Sequence, residues 1–203
     1  IHLNDRKFAG ADTLATSNAI AGALRVLDFD LVITGRQAID GDTAQVGPQV
    51  AEKLALPQVT YAEEIQGCDG KIVTIKRRLE RGIEVATCPM PCVVTVNGSA
   101  APCRPRNARF VMKYKNAKGT QEAQDANEDY FALVNERPYL KLTEWSVNDI
   151  QSNPTDLGLS GSPTKVKNIE SVVFQAKEAK VLSGTDAELD AMMKELITNH
   201  TIG

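Results

Sequence analysis

Apolar positions along this chain recur with two periods, and the change from one to the other divides it. Asp12 or Thr13 can cap a helix whose Ile20, Ala23, Leu24 and Leu27 recur at helical spacing, which predicts a helix to about Leu27 with that stripe buried. The apolar run Leu31-Val32-Ile33 then predicts a buried strand to Thr34, and Pro48 opens a second helix to about Leu54. Helix, strand, loop and helix in that order make half of a doubly wound sheet.

From Val59 the period shortens. Val59 and Tyr61, then residues 72–75, 83–85 and 92–96, read as short strands, with Asp69-Gly70 and Arg81-Gly82 as hairpin turns. They predict an antiparallel addition to a parallel sheet, residues 93–96 returning to its centre as a buried strand. Residues 135–168, with Pro138, Pro154 and Pro163, read as an extended arm lying on a partner, anchored by Trp145. Thr185 and Glu188 form a capping box for a last helix whose Leu189, Met192, Met193 and Leu196 face one way. Packing is the plainer reading of those methionines, since thioethers fill irregular gaps.

Between the first strand and the second helix lies Gly35-Arg36-Gln37-Ala38-Ile39-Asp40-Gly41-Asp42-Thr43-Ala44-Gln45-Val46-Gly47. This loop is small and polar, its glycines allow close approach, and it feeds a helix N-terminus whose free N–H groups favour anions. Backbone N–H groups from Thr43 through Ala44, Gln45 and Val46 to Gly47 are candidate pyrophosphate contacts, with the Thr43 and Gln45 side chains adding hydrogen bonds. Asp40 and Asp42 would repel phosphate unless turned away, so they read as braces of the turn or as ribose contacts. Arg36 either compensates the charge or pairs with one of those aspartates. The loop matches neither GxGxxG nor a Walker sequence.

Composition narrows the function classes. With 203 residues, 42% hydrophobic and 24% charged, the chain is an ordinary globular one. A net charge of −3 gives no reason to expect nucleic acid or an anionic membrane as main partner. No apolar run approaches the roughly 18 to 20 residues of a membrane span. A cytoplasmic setting is expected, with Cys68, Cys88, Cys92 and Cys103 as reduced structural thiols. Cys88 and Cys92 flank Pro-Met-Pro without a second ligand pair for zinc, and His2 and His200 lie at opposite ends, which leaves little material for a His-dependent triad. The opening Ile1-His2-Leu3 reads as the end of a strand, so further N-terminal residues are expected. Residues 101–120 carry six basic side chains and no acidic one, either a solvated face or a docking patch for an acidic protein or phosphate ligand.

Residues 35–47 resemble the nucleotide-binding signature of the beta subunit of electron-transferring flavoproteins. Leu56-Pro57-Gln58-Val59-Thr60, Met90-Pro91-Cys92-Val93-Val94-Thr95-Val96, Met112-Lys113-Tyr114-Lys115 and Ser162-Pro163-Thr164-Lys165-Val166 extend the resemblance, which covers most of residues 1–118. It implies a three-layer α/β/α, Rossmann-like domain of the adenine nucleotide alpha hydrolase-like kind over residues 1–118, lacking its first strand and helix. Residues 119–203 would form an arm and C-terminal helix on an FAD-bearing alpha subunit.

Two chemistries follow from the resemblance. Ordinary members hold AMP in the beta subunit as a structural ligand. Bifurcating members hold a second FAD there, which takes hydride from NADH and sends one electron to ferredoxin or flavodoxin and the other through the alpha-subunit FAD to a dehydrogenase. Residues 5–17 resemble the bifurcating group, with Asp12, Thr13 and Thr16 beside the flavin. The plainer reading is that Asp12 and Thr13 cap the helix while Thr16 bonds its own preceding turn. No catalytic side chain is required in this scheme, because the flavin does the chemistry.

By the same resemblance, Arg104, Arg106, Asn107, Ala108 and Arg109 fall where the family docks its dehydrogenase. Ala108 stands about where a larger apolar anchor is expected, which leaves an acyl-CoA dehydrogenase and an FAD-linked 2-hydroxyacid dehydrogenase as alternative partners. A regulatory module binding an adenine nucleotide without electron transfer is the contrasting reading.

Overall fold

The computed structural model describes residues 1–39, 41–119, 122–123, 128–166, 179 and 181–202. It divides into two compact units, Ile1–Lys165 and Val166–Gly203. The first unit therefore continues well past Lys118, where the sequence places the end of the first domain.

A five-stranded sheet forms the core of the first unit. Its strands are β2 (Leu31–Gly35), β3 (Gln58–Cys68), β4 (Ile72–Leu79), β5 (Gly82–Pro89) and β6 (Cys92–Val96), arranged β2-β6-β3-β4-β5. β6 pairs in parallel with β2, from Leu31 opposite Cys92 to Gly35 opposite Val96, and in parallel with β3. β3, β4 and β5 pair antiparallel through the two expected hairpins. β6 is thus the middle strand of the parallel part, between β2 and β3, and Cys92 to Thr95 are buried.

β2 departs from the prediction. It pairs on one edge only, and Ile33 is 58% exposed, so its apolar run reflects one covered face rather than two. β3 bends where it leaves β6. The register shifts between Val59 and Ala62, Tyr61 takes a φ of 59°, and its N–H donates to Thr95 Oγ1 at 3.2 Å. Beyond this bulge, Val73, Ile75 and Cys88 pack in one cluster with Val59, Ala62, Cys92 and Val94.

Two helices complete the layer that carries the site. α1 (Thr13–Leu24) ends three residues before the expected Leu27, which is exposed. Its buried face is made of small residues, Ala15, Ser17, Ala19, Ala21, Gly22 and Ala23; of the expected stripe Ala23 is buried, Ile20 and Leu24 are half-buried and Leu27 is exposed. Small residues win because another segment packs tightly there: a Cβ on Gly22 would lie 2.0 Å from Ser152 Oγ. α2 (Val46–Leu54) begins two residues before Pro48, and Gly47 meets the sheet face that carries Thr34 and Thr95.

The predicted arm also settles differently over its first part. β7 (Glu144–Trp145) pairs in parallel with the short β1 (His2–Leu3). Val147, Ile150 and Leu157 are buried against Ala19 and Ala23 of α1, with half-buried Trp145 at their edge. Trp145 thus packs within its own chain.

Between these segments lie α3 (Ala108–Tyr114) and α4 (Glu128–Glu136). In the second unit, α5 (Asp186–Thr198) starts after Thr185, but the capping box is altered. Glu188 accepts from the N–H of Ser183 at 2.9 Å and from its hydroxyl, and the Thr185 side chain makes no cap bond.

Candidate functional site

The strongest site begins where β2 and β6 end side by side, at Gly35 and Val96. In an open α/β sheet, ligands sit in the crevice beyond the carboxyl ends of parallel strands. Two loops rise there. The loop after β6 is fixed by the Asn97 N–H donating to Ala62 O at 2.8 Å and by the Ser99 hydroxyl on Glu63. The Glu63 side chain is 6% exposed and also takes Arg78 Nε at 2.5 Å, so the guanidinium and hydroxyl hold its carboxyl below the ordinary 4.5.

The loop after β2, residues 35–47, turns at two of the residues the sequence names, Asp42 and Ala44, through a backbone conformation the sequence does not announce. Asp42 and Ala44, not the glycines, take positive φ values of 49° and 53°. Gln45 then returns to the right-handed region at φ −95°, ψ −31°. A left-handed residue followed by a right-handed one turns successive N–H groups toward one concavity, a backbone nest suited to an anion. The N–H groups of Ala44, Gln45 and Val46 are those of the nest. Signals for it were absent from the sequence, because Ala44 has no intrinsic preference for a positive φ.

The nest runs directly into α2. Val46 and Gly47 fill the first two helical positions, Pro48 the third, and no side chain caps the helix start. The unclaimed N–H group of Gly47 therefore adds to the nest, while Pro48 has none to offer. Gly47 is required for close packing: a Cβ there would lie 2.6 Å from Thr95 Cγ2 and 2.8 Å from Thr34 Oγ1. At Gly35 and Gly41 a Cβ would meet nothing within 4 Å, so the loop presents open space on that side.

Side chains of the loop occupy defined places. Asp42 donates its N–H to Ala38 O at 3.0 Å, and its carboxylate accepts from the Gln37 carboxamide. Arg36 and Thr43 are exposed, and no ion pair joins Arg36 to Asp42. Asp40 lies outside the described residues.

The structure brings α1 to the same place. Thr13 Oγ1 donates to Gln45 Oε1 at 2.8 Å, joining two of the candidate residues directly. Thr16, one turn on, lines an apolar recess of about 170 Å³ with Phe8, Ala15 and Ile20. Asp12 faces elsewhere: its carboxylate caps α1 at the Ala15 N–H, 3.0 Å away, and takes the Thr164 N–H at 3.1 Å. Burial works to raise the Asp12 carboxyl, yet these backbone bonds outweigh it and keep the group below its ordinary 3.8.

A phosphate-bearing ligand fits these residues. The nest and bare helix start supply donors, and Thr34 Oγ1, a buried hydroxyl against Gly47, has no hydrogen-bond partner among the described residues.

The basic segment stands apart from the loop. Arg104, Arg106, Asn107, Ala108 and Arg109 are all exposed. Asn107 has a local duty, accepting from the N–H groups of Arg109 at 3.0 Å and Phe110 at 3.3 Å as the cap of α3. α3 buries no residue; Phe110 is 57% and Met112 66% exposed. Lys113 Nζ lies 4.5 Å from the centre of the Tyr139 ring, which tethers α3 to residues 138–140. Among the described residues no helix is long and apolar enough to cross a membrane.

A mostly parallel sheet with an antiparallel extension, and a loop-to-helix seat at its carboxyl edge, define a Rossmann-like α/β protein. The chain belongs to the electron transfer flavoprotein family, whose domain model matches residues 1–128.

Among its relatives is the electron transfer flavoprotein subunit beta of Clostridium acetobutylicum, 36% identical over 95% of this chain and 62% of its own length. Subunit CarD of the caffeyl-CoA reductase-Etf complex of Acetobacterium woodii is 40% identical over 81% of this chain and 54% of its own. The acryloyl-CoA reductase electron transfer subunit gamma of Anaerotignum propionicum is 37% identical over 98% of this chain and 69% of its own. The chain thus spans about half to two thirds of the length of these curated relatives.

Proposed function

We propose that this chain is the beta subunit of a bifurcating electron-transferring flavoprotein, holding FAD on residues 35–47 beside an FAD-bearing alpha subunit. The observation that carries the ligand reading is the nest at Ala44 and Gln45 opening onto the uncapped start of α2. Two relatives named for CoA-ester reductase complexes, CarD and the acryloyl-CoA reductase subunit, support the bifurcating reading over a carrier with structural AMP. The setting proposed for it is the cytoplasm.

The flavin, when bound, supplies hydride acceptance from NADH and one-electron transfer toward ferredoxin or flavodoxin and toward the alpha subunit. The chain's own residues bind and orient. N–H groups of residues 44–47 take the diphosphate, and the Gln45 carboxamide, held by Thr13, stands at the seam of α1 and α2. Thr16 offers its hydroxyl on the wall of the apolar recess, and Thr13, whose hydroxyl hydrogen goes to Gln45, offers its oxygen lone pairs and its backbone N–H to the flavin. Asp42 is kept from the ligand by its bond to Gln37. Of residues 119–203, those not buried against α1 pack on the alpha subunit, and Arg104, Arg106, Asn107, Ala108 and Arg109 dock an acyl-CoA or FAD-linked 2-hydroxyacid dehydrogenase.

Releasing the nucleotides from the denatured native complex tests this reading. A second FAD beside that of the alpha subunit is the expected result. AMP in its place assigns the ordinary carrier, and an adenine nucleotide without any flavin assigns a regulatory module; either overturns the proposal.

A further inference from the structure

Two successive side chains at the start of α1 hold two different parts of the chain. Thr13 gives its hydroxyl to Gln45 Oε1 at 2.8 Å, on the loop. Asp12 turns to the other side. Its carboxylate accepts from the N–H of Ala15 and, at 3.1 Å, of Thr164, while its own N–H donates to Ser162 Oγ at 2.8 Å.

Ser162 is 4% exposed, and its hydroxyl donates to Gly158 O at 2.7 Å. Residues 162–164 are thereby fastened to the first turn of α1, and the first compact unit ends one residue later, at Lys165. These bonds are the last described fastening of the chain before the second unit begins.

We propose that the first turn of α1 couples occupancy of residues 35–47 to the anchoring of residues 162–164, with Thr13 and Asp12 as the positioning residues. The proposal rests on the reading that the loop holds a dinucleotide. Its physical basis is the stiffness of a single helical turn. A ligand that takes the N–H groups of residues 44–47 fixes Gln45, and through Thr13 it fixes the backbone on which Asp12 stands. The Asp12 carboxylate must meet two N–H groups from different segments at once, so its strength depends on how well that backbone is held. Bonds to an ionised carboxylate are about twice as strong as neutral ones, which makes Asp12 the effective side of the link. Coupling of this kind is reciprocal, so weaker anchoring at Ser162 must weaken ligand binding by the same factor.

Amide hydrogen exchange on the whole chain in its native complex, stripped of nucleotide and then saturated with FAD or with AMP, tests this. FAD is expected to protect the amides of residues 44–47 and to slow exchange at Ala15 and Thr164 by about fivefold or more. Protection of the loop with Ala15 and Thr164 unchanged overturns the coupling and leaves the ligand reading intact. No protection of the loop by either nucleotide overturns the ligand reading itself, and the coupling with it.

Ser162→Ala reads the same link without touching the loop. The expected result is a Kd for FAD raised by about fivefold, and an unchanged Kd overturns the coupling. In Thr13→Val, saturating FAD is expected to protect the loop but no longer slow Thr164; a retained response overturns the route through Thr13.

Discussion

The Thr13 hydroxyl donates to Gln45 Oε1 across 32 residues of sequence, so the first turn of α1 and the residue that precedes α2 form one polar seam. Gln45 is also the right-handed half of the nest. Under the proposed function, its backbone would meet the ligand while its side chain holds the seam to Thr13. Gln45→Leu keeps the volume and removes the carboxamide. Because the bond is exposed, folding stability should fall by only about 1 kcal/mol, whereas nucleotide retention should fall roughly tenfold. Bound nucleotide per complex after gel filtration, set against a urea midpoint, separates the two effects. Equal losses of stability and retention would show that the seam is structural only.

Gly47 answers a different need. A Cβ at that position would press on Thr95 Cγ2 and Thr34 Oγ1 at 2.6 and 2.8 Å. Both belong to sheet residues; Thr95 is 3% exposed on β6 and the Thr34 hydroxyl oxygen is buried, so neither contact is relieved at no cost. Gly47→Ala is expected to cost about 1 to 3 kcal/mol by overpacking, read as a lower denaturant midpoint with an unchanged m-value. A neutral effect would mean that α2 rides more loosely on β6 than these distances require.

The carboxylates set the acid limit. Asp69 is held below its ordinary 3.8 by N–H bonds from Ile72 and Lys71, and Asp149 by the N–H and hydroxyl of Ser146. Asp5, Asp12, Glu63 and Glu188 are lowered too. A carboxyl whose folded value is depressed binds protons less readily in the folded chain than in the unfolded one. Its contribution is complete above the ordinary values of 3.8 and 4.5 and is lost as pH falls below them. Urea midpoints should be flat near neutrality and drop steeply from about pH 4.5 downward, and Asp69→Asn should flatten that slope. Midpoints that rise on acidification would contradict these assignments.

The four thiols divide by position. Cys68 and Cys103 are exposed, while Cys88 and Cys92 are buried in the core cluster of the sheet. Burial, and then the neighbouring Cys88 thiol, push Cys92 up to about 11. The native chain should alkylate at Cys68 and Cys103 and spare the other pair at neutral pH. Because the Cys92 value is raised from 9.0, its contribution to stability is whole below that pH and lost toward about 11. Mass spectrometry of labelled peptides checks the pattern; rapid labelling of Cys92 at neutral pH would refute it.

Much of this architecture was legible in the residues. Asp69-Gly70 and Arg81-Gly82 turn the hairpins as read, and the unalternating run at residues 92–96 does mark a buried strand at the middle of the parallel part. The same run of apolar residues misled at β2, because hydrophobicity reports covered surface and not the number of neighbouring strands. In α1 the large residues at helical spacing drew the prediction, while the packed face is the small one, where Gly22 admits Ser152. Backbone devices were the least legible. The loop was found through its polarity and its resemblance, but the left-handed turns at Asp42 and Ala44 depend on tertiary context, and the bond from Thr164 to Asp12 spans 152 positions.

The basic segment allows a prediction in which charge and shape separate. Arg104, Arg106 and Arg109 are exposed and make no described hydrogen bond or ion pair with the loop at residues 35–47, so their removal should leave flavin content intact. If they steer an acidic dehydrogenase, replacing all three with alanine should slow electron delivery to it by about tenfold at low ionic strength, with the difference shrinking as salt is added. Phe110 and Met112 are exposed on α3, and in the proposed docking role they would supply the apolar contact for which Ala108 is too small. Phe110→Ala should therefore weaken delivery by an amount that salt does not erase, because desolvation of an aromatic anchor is not screened. Stopped-flow reduction of the dehydrogenase across an ionic-strength series distinguishes the two. Loss of flavin from the arginine variant, or a salt-independent arginine effect, would remove the docking role from this patch.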